Sequence, residues 1–126
     1  MKTLLISLIL LISAYSYANC GNTPAKVDTD YVYAEVFSRG HMDLELIAVN
    51  KSSSRWNTIK IVSGNRFSLP TCEVPIRSTV PFNGNVATEW TSGASTSFSA
   101  AYAICVVDYS GKLIESHAIC NWETGD

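Results

Sequence analysis

Apolar and polar residues alternate with a period of two along most of the chain, which is the pattern of half-buried β-strands. Between residues 31 and 37, for example, Val32, Ala34 and Val36 alternate with aromatic or acidic side chains. Such runs, separated by turn-forming residues, predict seven or eight short strands. They lie at residues 31–37, 44–49, 56–62, 66–69, 86–90, 97–108 and 112–122, with 71–80 as an extended edge or loop. Only residues 25–34 could form a helix, and that a single turn.

Short strands with turns between them predict an all-β antiparallel sandwich or barrel. The length of the chain and the number of strands favour a single small β-sandwich of the immunoglobulin-like class. The buried tryptophan and the cysteine spacing of antibody domains are missing, so this prediction concerns the class of fold only.

The first residues are typical of a secretory signal peptide, with Lys2, an apolar run at 4–12 and small residues at 16–18. The apolar run is too short to span a bilayer, which takes about 20 residues. We therefore predict a cleaved signal peptide at residues 1–18 and one secreted or periplasmic domain at 19–126. No later stretch of the mature chain has the length of a membrane span.

The predicted mature chain is weakly acidic. Without Lys2 it keeps eight basic residues against eleven acidic ones. The basic residues are scattered and form no patch along the sequence. Binding of nucleic acid needs such a patch, so we expect no nucleic acid as partner.

Four cysteines in an exported domain predict two disulfides. They are Cys20, Cys72, Cys105 and Cys120. Their spacing is long and irregular, without the closely spaced pair typical of zinc sites. We therefore expect structural disulfides and no zinc bound by thiolates.

The last two strands restrict how these cysteines pair. A turn centred on residues 110–111 places Cys105 opposite Ser116 and Cys120 opposite Ala101. The two cysteines are then offset by four residues, or about 13 Å at ~3.4 Å per residue. A disulfide needs Cα atoms within about 7 Å, so a bond between Cys105 and Cys120 is excluded.

Two pairings remain. We prefer Cys20–Cys120 together with Cys72–Cys105, which ties the chain ends and fixes the proline-rich segment to the core. The alternative is Cys20–Cys105 together with Cys72–Cys120. The same register sorts the faces of the hairpin. We expect the odd-numbered residues 101–107, which are small and apolar, to pack against a second sheet, and the even-numbered residues 102–108 to be half exposed.

The sequence offers little support for catalysis. His41 lies in a predicted turn beside Asp43, and His117 lies two residues from Glu115. No serine stands in a G-x-S-x-G elbow. His41, Asp43 and Glu45 could supply two or three metal ligands, but zinc or copper needs at least one more. We therefore predict no catalytic residue, no metal site and no cofactor.

Two aromatic residues are the candidate binding residues. Trp90 borders a predicted loop at 91–96, and Tyr109 lies at the turn between the last two strands. An aromatic residue exposed at a loop tip is a natural anchor for a protein or glycan.

These features favour a non-enzymatic extracytoplasmic binding or accessory domain, such as a protein-binding inhibitor or an adhesion-type module. Its partner would be another secreted or envelope protein, or a glycan. One alternative is a structural surface or fimbrial-type subunit, which an unpaired strand edge would favour. The other is a small metal-binding protein or enzyme that uses His41 or His117.

Overall fold

The structure is a computed structural model that describes residues 20–52, 57–64, 69–73, 79–93 and 98–123. The predicted signal peptide, Trp56 and most of the predicted strand at 66–69 lie outside these residues. Within them the chain forms seven strands and no helix. The strands are β1 (Lys26–Asp28), β2 (Val32–Gly40), β3 (Asp43–Asn50), β4 (Asn57–Ser63), β5 (Val86–Ser92), β6 (Phe98–Asp108) and β7 (Leu113–Glu123).

The strands form two antiparallel sheets that pack face to face. One sheet has the order β1-β2-β3-β5 and the other the order β4-β6-β7. The chain crosses between sheets after β3, β4 and β5, so β5 returns to pair with β3 and β6 pairs with β4. These are the B–E and C–F–G pairings of the immunoglobulin fold. The predicted all-β immunoglobulin-like sandwich is confirmed.

The core lies between the sheets and is built by the alternation seen in the sequence. On β2 and β3 every second residue is fully buried, and the residues between them are partly exposed. The core residues of the two sheets include Val32, Val36, Leu44, Leu46, Ile61, Tyr102, Ile104, Val106 and Ile119. The hydroxyl of Tyr102 donates a hydrogen bond of 2.7 Å to Glu89 Oε1. Burial, reinforced by this bond, raises the pKa of Tyr102.

The preferred disulfide pairing is confirmed. Cys20 is bonded to Cys120 and Cys72 to Cys105, with Cα–Cα distances of 5.4 and 5.9 Å. The hairpin register behind that prediction is also confirmed, since Cys105 lies opposite Ser116. A bulge interrupts the register after Val106.

The predicted faces of this hairpin are wrong. Tyr102, Ile104 and Val106 point into the core between the sheets, whereas Ala101 and Cys105 lie on the outer face. The outer face is small because other segments cover it. Cys20 packs there on Ala101 and Cys120, and Cys72 packs on the cluster of Val62, Ala103 and Cys105. Both disulfides therefore lie outside the core, on the outer face of the three-stranded sheet.

The predicted helical turn at residues 25–34 is also wrong. Strand β1 begins there and pairs with β2 from Lys26 opposite Glu35 to Asp28 opposite Tyr33. The side chain of Thr29 forms the turn out of β1. Its Oγ1 accepts hydrogen bonds from the N–H groups of the second and third residues that follow.

Candidate functional site

The loop between β6 and β7 is held by one carboxylate. Asp108 Oδ1 accepts hydrogen bonds from the N–H groups of Ser110 and Lys112, both at 2.9 Å, and from Ser110 Oγ at 2.7 Å. The N–H of Gly111 donates to the Asp108 carbonyl at 3.0 Å. Gly111 has a φ of 88°, which favours glycine. The bond from Ser110 is the main cause that lowers the pKa of Asp108. Because the carboxylate is ionised at neutral pH, it can accept all three bonds, which close the loop.

Tyr109 lies at the tip of this ordered loop. Its side chain is 79% exposed, the largest value among the exposed large hydrophobic residues that the structure describes. Leu113 and Ile114, at the start of β7, are 37% and 39% exposed. We call Tyr109, Leu113 and Ile114 the hairpin tip. Exposed apolar residues grouped at one end of a rigid hairpin are typical of a site that contacts another molecule.

Trp90 lies elsewhere on the molecule. It belongs to β5, which runs on to Ser92, so the prediction that it borders a loop beginning at residue 91 is wrong. Its side chain is 58% exposed. Its neighbour Glu89 bonds Tyr102 part-way along β6, whereas Tyr109 follows the end of that strand, seven residues after Tyr102. The structure therefore does not bring the two candidate anchors together.

Trp90 belongs to the outer face of the four-stranded sheet. Glu45 is its cross-strand neighbour on β3, and Phe37 on β2 is the neighbour of Glu45 on the other side. Arg39 stacks 4.3 Å above the Phe37 ring and bonds Glu45 Oε1 at 2.9 Å. Glu45 therefore already has a cationic partner. Elsewhere on this face, the Tyr33 hydroxyl bonds Glu35, which is the main cause that raises the pKa of Tyr33 to about 12.

His41 lies in the turn between β2 and β3. Its φ is 55°, and its neighbours Gly40 and Met42 also have positive φ, at 80° and 66°. Glu123, at the end of β7, extends its carboxylate to this turn and accepts bonds from Ser38 Oγ at 2.5 Å and from the Gly40 N–H at 2.9 Å. These bonds, with Ser38 the main cause, lower the pKa of Glu123. The turn between β2 and β3 thus binds the carboxylate of Glu123, and this contact links β7 to the four-stranded sheet.

His117 lies on β7, and its Nε2 is 3.0 Å from Glu115 Oε1. The other residues considered as metal ligands have different partners. Asp43 accepts a bond of 2.7 Å from Ser92, and Glu45 is paired with Arg39. Across the described part of the chain, no group of three or more His, Cys, Asp or Glu side chains is placed to hold a metal ion.

Two carboxylates that shape these surfaces are not among the residues predicted from the sequence. The apolar pattern places Asp108 in a strand, although an aspartate followed two residues later by serine is a known local turn signal. Glu123 had no such signal, because its partners lie more than 80 residues away in the sequence.

Comparison of the chain with protein-family models, with curated proteins and with solved structures gave no match. In the described segments there is no helix that is long and apolar enough to cross a membrane.

Proposed function

We propose that this chain is an extracytoplasmic, non-enzymatic binding domain that binds another secreted or envelope protein through the hairpin tip. The observation that carries the proposal is Tyr109, held almost fully exposed on a loop that Asp108 keeps in one conformation. Tyrosine gives a large apolar contact area and a polar hydroxyl, and it is enriched among residues that dominate protein interfaces.

The order of the loop supports binding in a second way. A partner that binds a mobile loop has to order it, which costs affinity. Here the turn is already closed by hydrogen bonds, and each strand of the hairpin carries one disulfide cysteine. Cys105 on β6 and Cys120 on β7 anchor the hairpin to two different parts of the chain. The tip is therefore presented by a rigid support, as in inhibitors that insert a fixed loop into a cleft.

Placement outside the cytoplasm rests on two features. Two disulfides are compatible with an oxidising compartment. The predicted signal peptide at residues 1–18 lies outside the described residues and stays a prediction.

The proposal is tested by capture from the secreted and envelope fractions of the source, with the oxidised domain (residues 19–126) as bait. Tyr109→Ala removes the anchor, and Trp122→Ala is the matched control, because Trp122 is an exposed aromatic residue at the far end of β7. We expect one protein that wild type and Trp122→Ala retain and that Tyr109→Ala loses.

Other outcomes would contradict the proposal in different ways. A partner retained equally by all three baits would place the binding surface away from the hairpin tip. Binding to a glycan array that depends on Tyr109 would support the hairpin tip as the binding site but show that the partner is a glycan and not a protein. Failure of the wild type to retain any protein or glycan would contradict a binding function.

A second candidate function, a structural surface subunit, is favoured by one observation. In the immunoglobulin fold a further strand, D, pairs with the strand equivalent to β5. No described residue occupies that position, and β5 is an edge of its sheet. Surface subunits often complete a sheet with a strand from a neighbour. Neither His41 nor His117 has surroundings that favour the third alternative, an enzyme or metal protein.

A further inference from the structure

Among the described residues, strand β5 has an open hydrogen-bonding edge. The bonds from the Asn50 N–H to the Asn85 carbonyl and from the Gly93 N–H to the Met42 carbonyl, both 2.8 Å, fix the alternation along the β3–β5 pair. The backbone groups of odd-numbered residues therefore face β3, and those of even-numbered residues face away from it. Those of Val86 are used in a turn with Asn83. The backbone N–H and C=O groups of residues 88, 90 and 92 have no backbone partner among the residues the structure describes.

The other sheet edges are shorter or better protected. Strand β1 has only three residues. Strand β4 is partly covered, because the Val80 N–H bonds the Ile61 carbonyl at 3.0 Å. Strand β7 bonds Pro24 near its end and carries the carboxylate of Glu115, with His117 beside it, in its open half. Proteins blunt exposed edges with such short strands, covering segments and charges.

The outer side chains of the open part of β5 carry none of these protections. They are Thr88, Trp90 and Ser92, without charge or proline. Trp90 and Val86 are also two of the exposed large hydrophobic residues. An uncharged edge with an exposed tryptophan at its centre is suited to pairing with another strand.

We propose that β5 pairs with β5 of a second copy of this chain, antiparallel and about a two-fold axis at Trp90. In this register Trp90 lies opposite its copy, and Thr88 lies opposite Ser92 of the second copy. Residues with outward backbone groups then face each other, which gives about six new backbone hydrogen bonds. The two four-stranded sheets become one continuous sheet.

The single charge on β5 selects this register. Glu89 points inward, where it accepts the bond from Tyr102. With Trp90 on the axis, Glu89 lies opposite Thr91 of the second copy, which carries no charge. The register shifted by two residues overlaps more of the strand, but it places Glu89 opposite Glu89, and like charges directly opposite are destabilising.

The pairing also covers the large hydrophobic side chain that is most exposed on this sheet, Trp90. The two Trp90 side chains become cross-strand neighbours on the outer face, close enough for aromatic contact. They separate Glu45 of one copy from Glu45 of the other, because Glu45 is the neighbour of Trp90 on β3. One strand pair and one pair of indoles make a small interface, so we expect a weak, concentration-dependent dimer. The hairpin tip lies beyond the end of β6, seven residues after the Tyr102 that β5 contacts, and stays accessible.

Sedimentation velocity of the oxidised domain over a range of concentrations tests the dimer. Wild type should shift from monomer to dimer as the concentration rises. Thr88→Pro removes one outward N–H that β3 does not use, and we expect it to weaken dimerisation at least tenfold. Thr88→Val is the matched control, because it keeps the N–H and the shape of the side chain and should dimerise like wild type. A wild type that stays monomeric at all concentrations, or a Thr88→Pro variant that dimerises normally, would overturn the proposal.

Cysteine cross-linking tests the register independently of how Thr88→Pro folds. An equal mixture of Thr88→Cys and Ser92→Cys proteins should form a disulfide between copies under mild oxidation. Directly opposed, hydrogen-bonded residues have Cα atoms about 5.5 Å apart, within the range for a disulfide. Either variant alone should not cross-link, because its two cysteines lie four residues apart, or about 13 Å. Cross-linking of Thr88→Cys with itself, or none in the mixture, would overturn the register.

Discussion

The two disulfides allow a quantitative test of how this domain is stabilised. Replacing Cys72 and Cys105 by alanine opens a bridge with a sequence separation of 33 residues, and replacing Cys20 and Cys120 opens one of 100 residues. If a bridge acts by restricting the unfolded chain, its contribution grows with the logarithm of loop length. The expected losses in the free energy of unfolding are about 3.7 kcal/mol for the shorter loop and about 4.7 kcal/mol for the longer one.

The position of the bridges makes this comparison clean. Both lie on the outer face of the three-stranded sheet, so neither double variant opens a cavity between the two sheets. Urea unfolding, followed by far-ultraviolet circular dichroism, gives the free energy and the m-value of each variant. We expect the m-value to rise in both, because a chain with one bridge fewer exposes more surface when unfolded.

The entropic account is tested by which double variant loses more free energy of unfolding. A greater loss for Cys72→Ala/Cys105→Ala than for Cys20→Ala/Cys120→Ala would refute the entropic account. It would show that native contacts of Cys72 with Val62 and Ala103 outweigh the difference in loop length. A Cys72→Ser/Cys105→Ser variant, which opens the same bridge with side chains closer in size to cysteine, is the control for the effect of the side chains themselves.

Three further predictions follow from carboxylates. Tyr102→Phe should lower the free energy of unfolding in urea by about 1–2 kcal/mol, since Glu89 loses its buried donor; no change would mean that water replaces the donor. Glu123 has a lowered pKa when folded, so its contribution is present above the unfolded value of 4.5 and is lost as pH falls below it. The melting temperature of wild type should thus fall more steeply below pH 4.5 than that of Glu123→Gln, and parallel curves would contradict this. Asp108→Ala should speed hydrogen exchange at the N–H groups of Ser110 and Lys112 at least tenfold, whereas unchanged exchange would mean that other contacts hold the loop.

The fold class could be predicted because two local signals in the sequence agree with the structure. The alternation at Val32, Ala34 and Val36 matches strands with one buried face, and the predicted pairing of Cys105 with Ser116 matches the register of β6 with β7. The turn itself is centred on residue 110 rather than on 110–111, and the bulge after residue 106 restores the predicted register. That register, once known, excluded one disulfide pairing by distance alone. It did not choose between the other two pairings, because the position of Cys20 and Cys72 relative to the hairpin depends on tertiary packing.

The errors have physical causes that the sequence does not display. Strand β6 is buried on both faces from Ala100 to Val106, so its composition does not show which face meets the other sheet. Strand β1 has three residues and no pattern of its own; it forms because β2 offers an edge, as in the bond from the Val36 N–H to the Ala25 carbonyl.

The candidate site was predictable only in part. Exposure of Tyr109 followed from its place in the turn between β6 and β7. Trp90 was assigned to a loop border, because the residues after it have the composition of a loop. Pairing with β3 nevertheless continues to Ser92 opposite Asp43, so Trp90 became part of an edge. The difference matters, since an edge offers backbone groups to a partner and a loop tip offers side chains.

The two proposed surfaces, the hairpin tip and the β5 edge, bind different partners and are physically separate. The hairpin tip lies beyond the end of β6, whereas β5 contacts β6 at Tyr102, seven residues before Tyr109, so a partner at one need not obstruct the other. A dimer through β5 carries two copies of Tyr109, and such a dimer binds a partner with repeated sites more tightly than a monomer does. Thr88→Pro should therefore shorten retention on a densely immobilised partner while leaving the affinity for a soluble, monovalent partner unchanged. Tyr109→Ala should reduce both. If Thr88→Pro lowered the monovalent affinity as well, the tip and the edge would belong to one binding surface, and the separation of the two sites would be wrong.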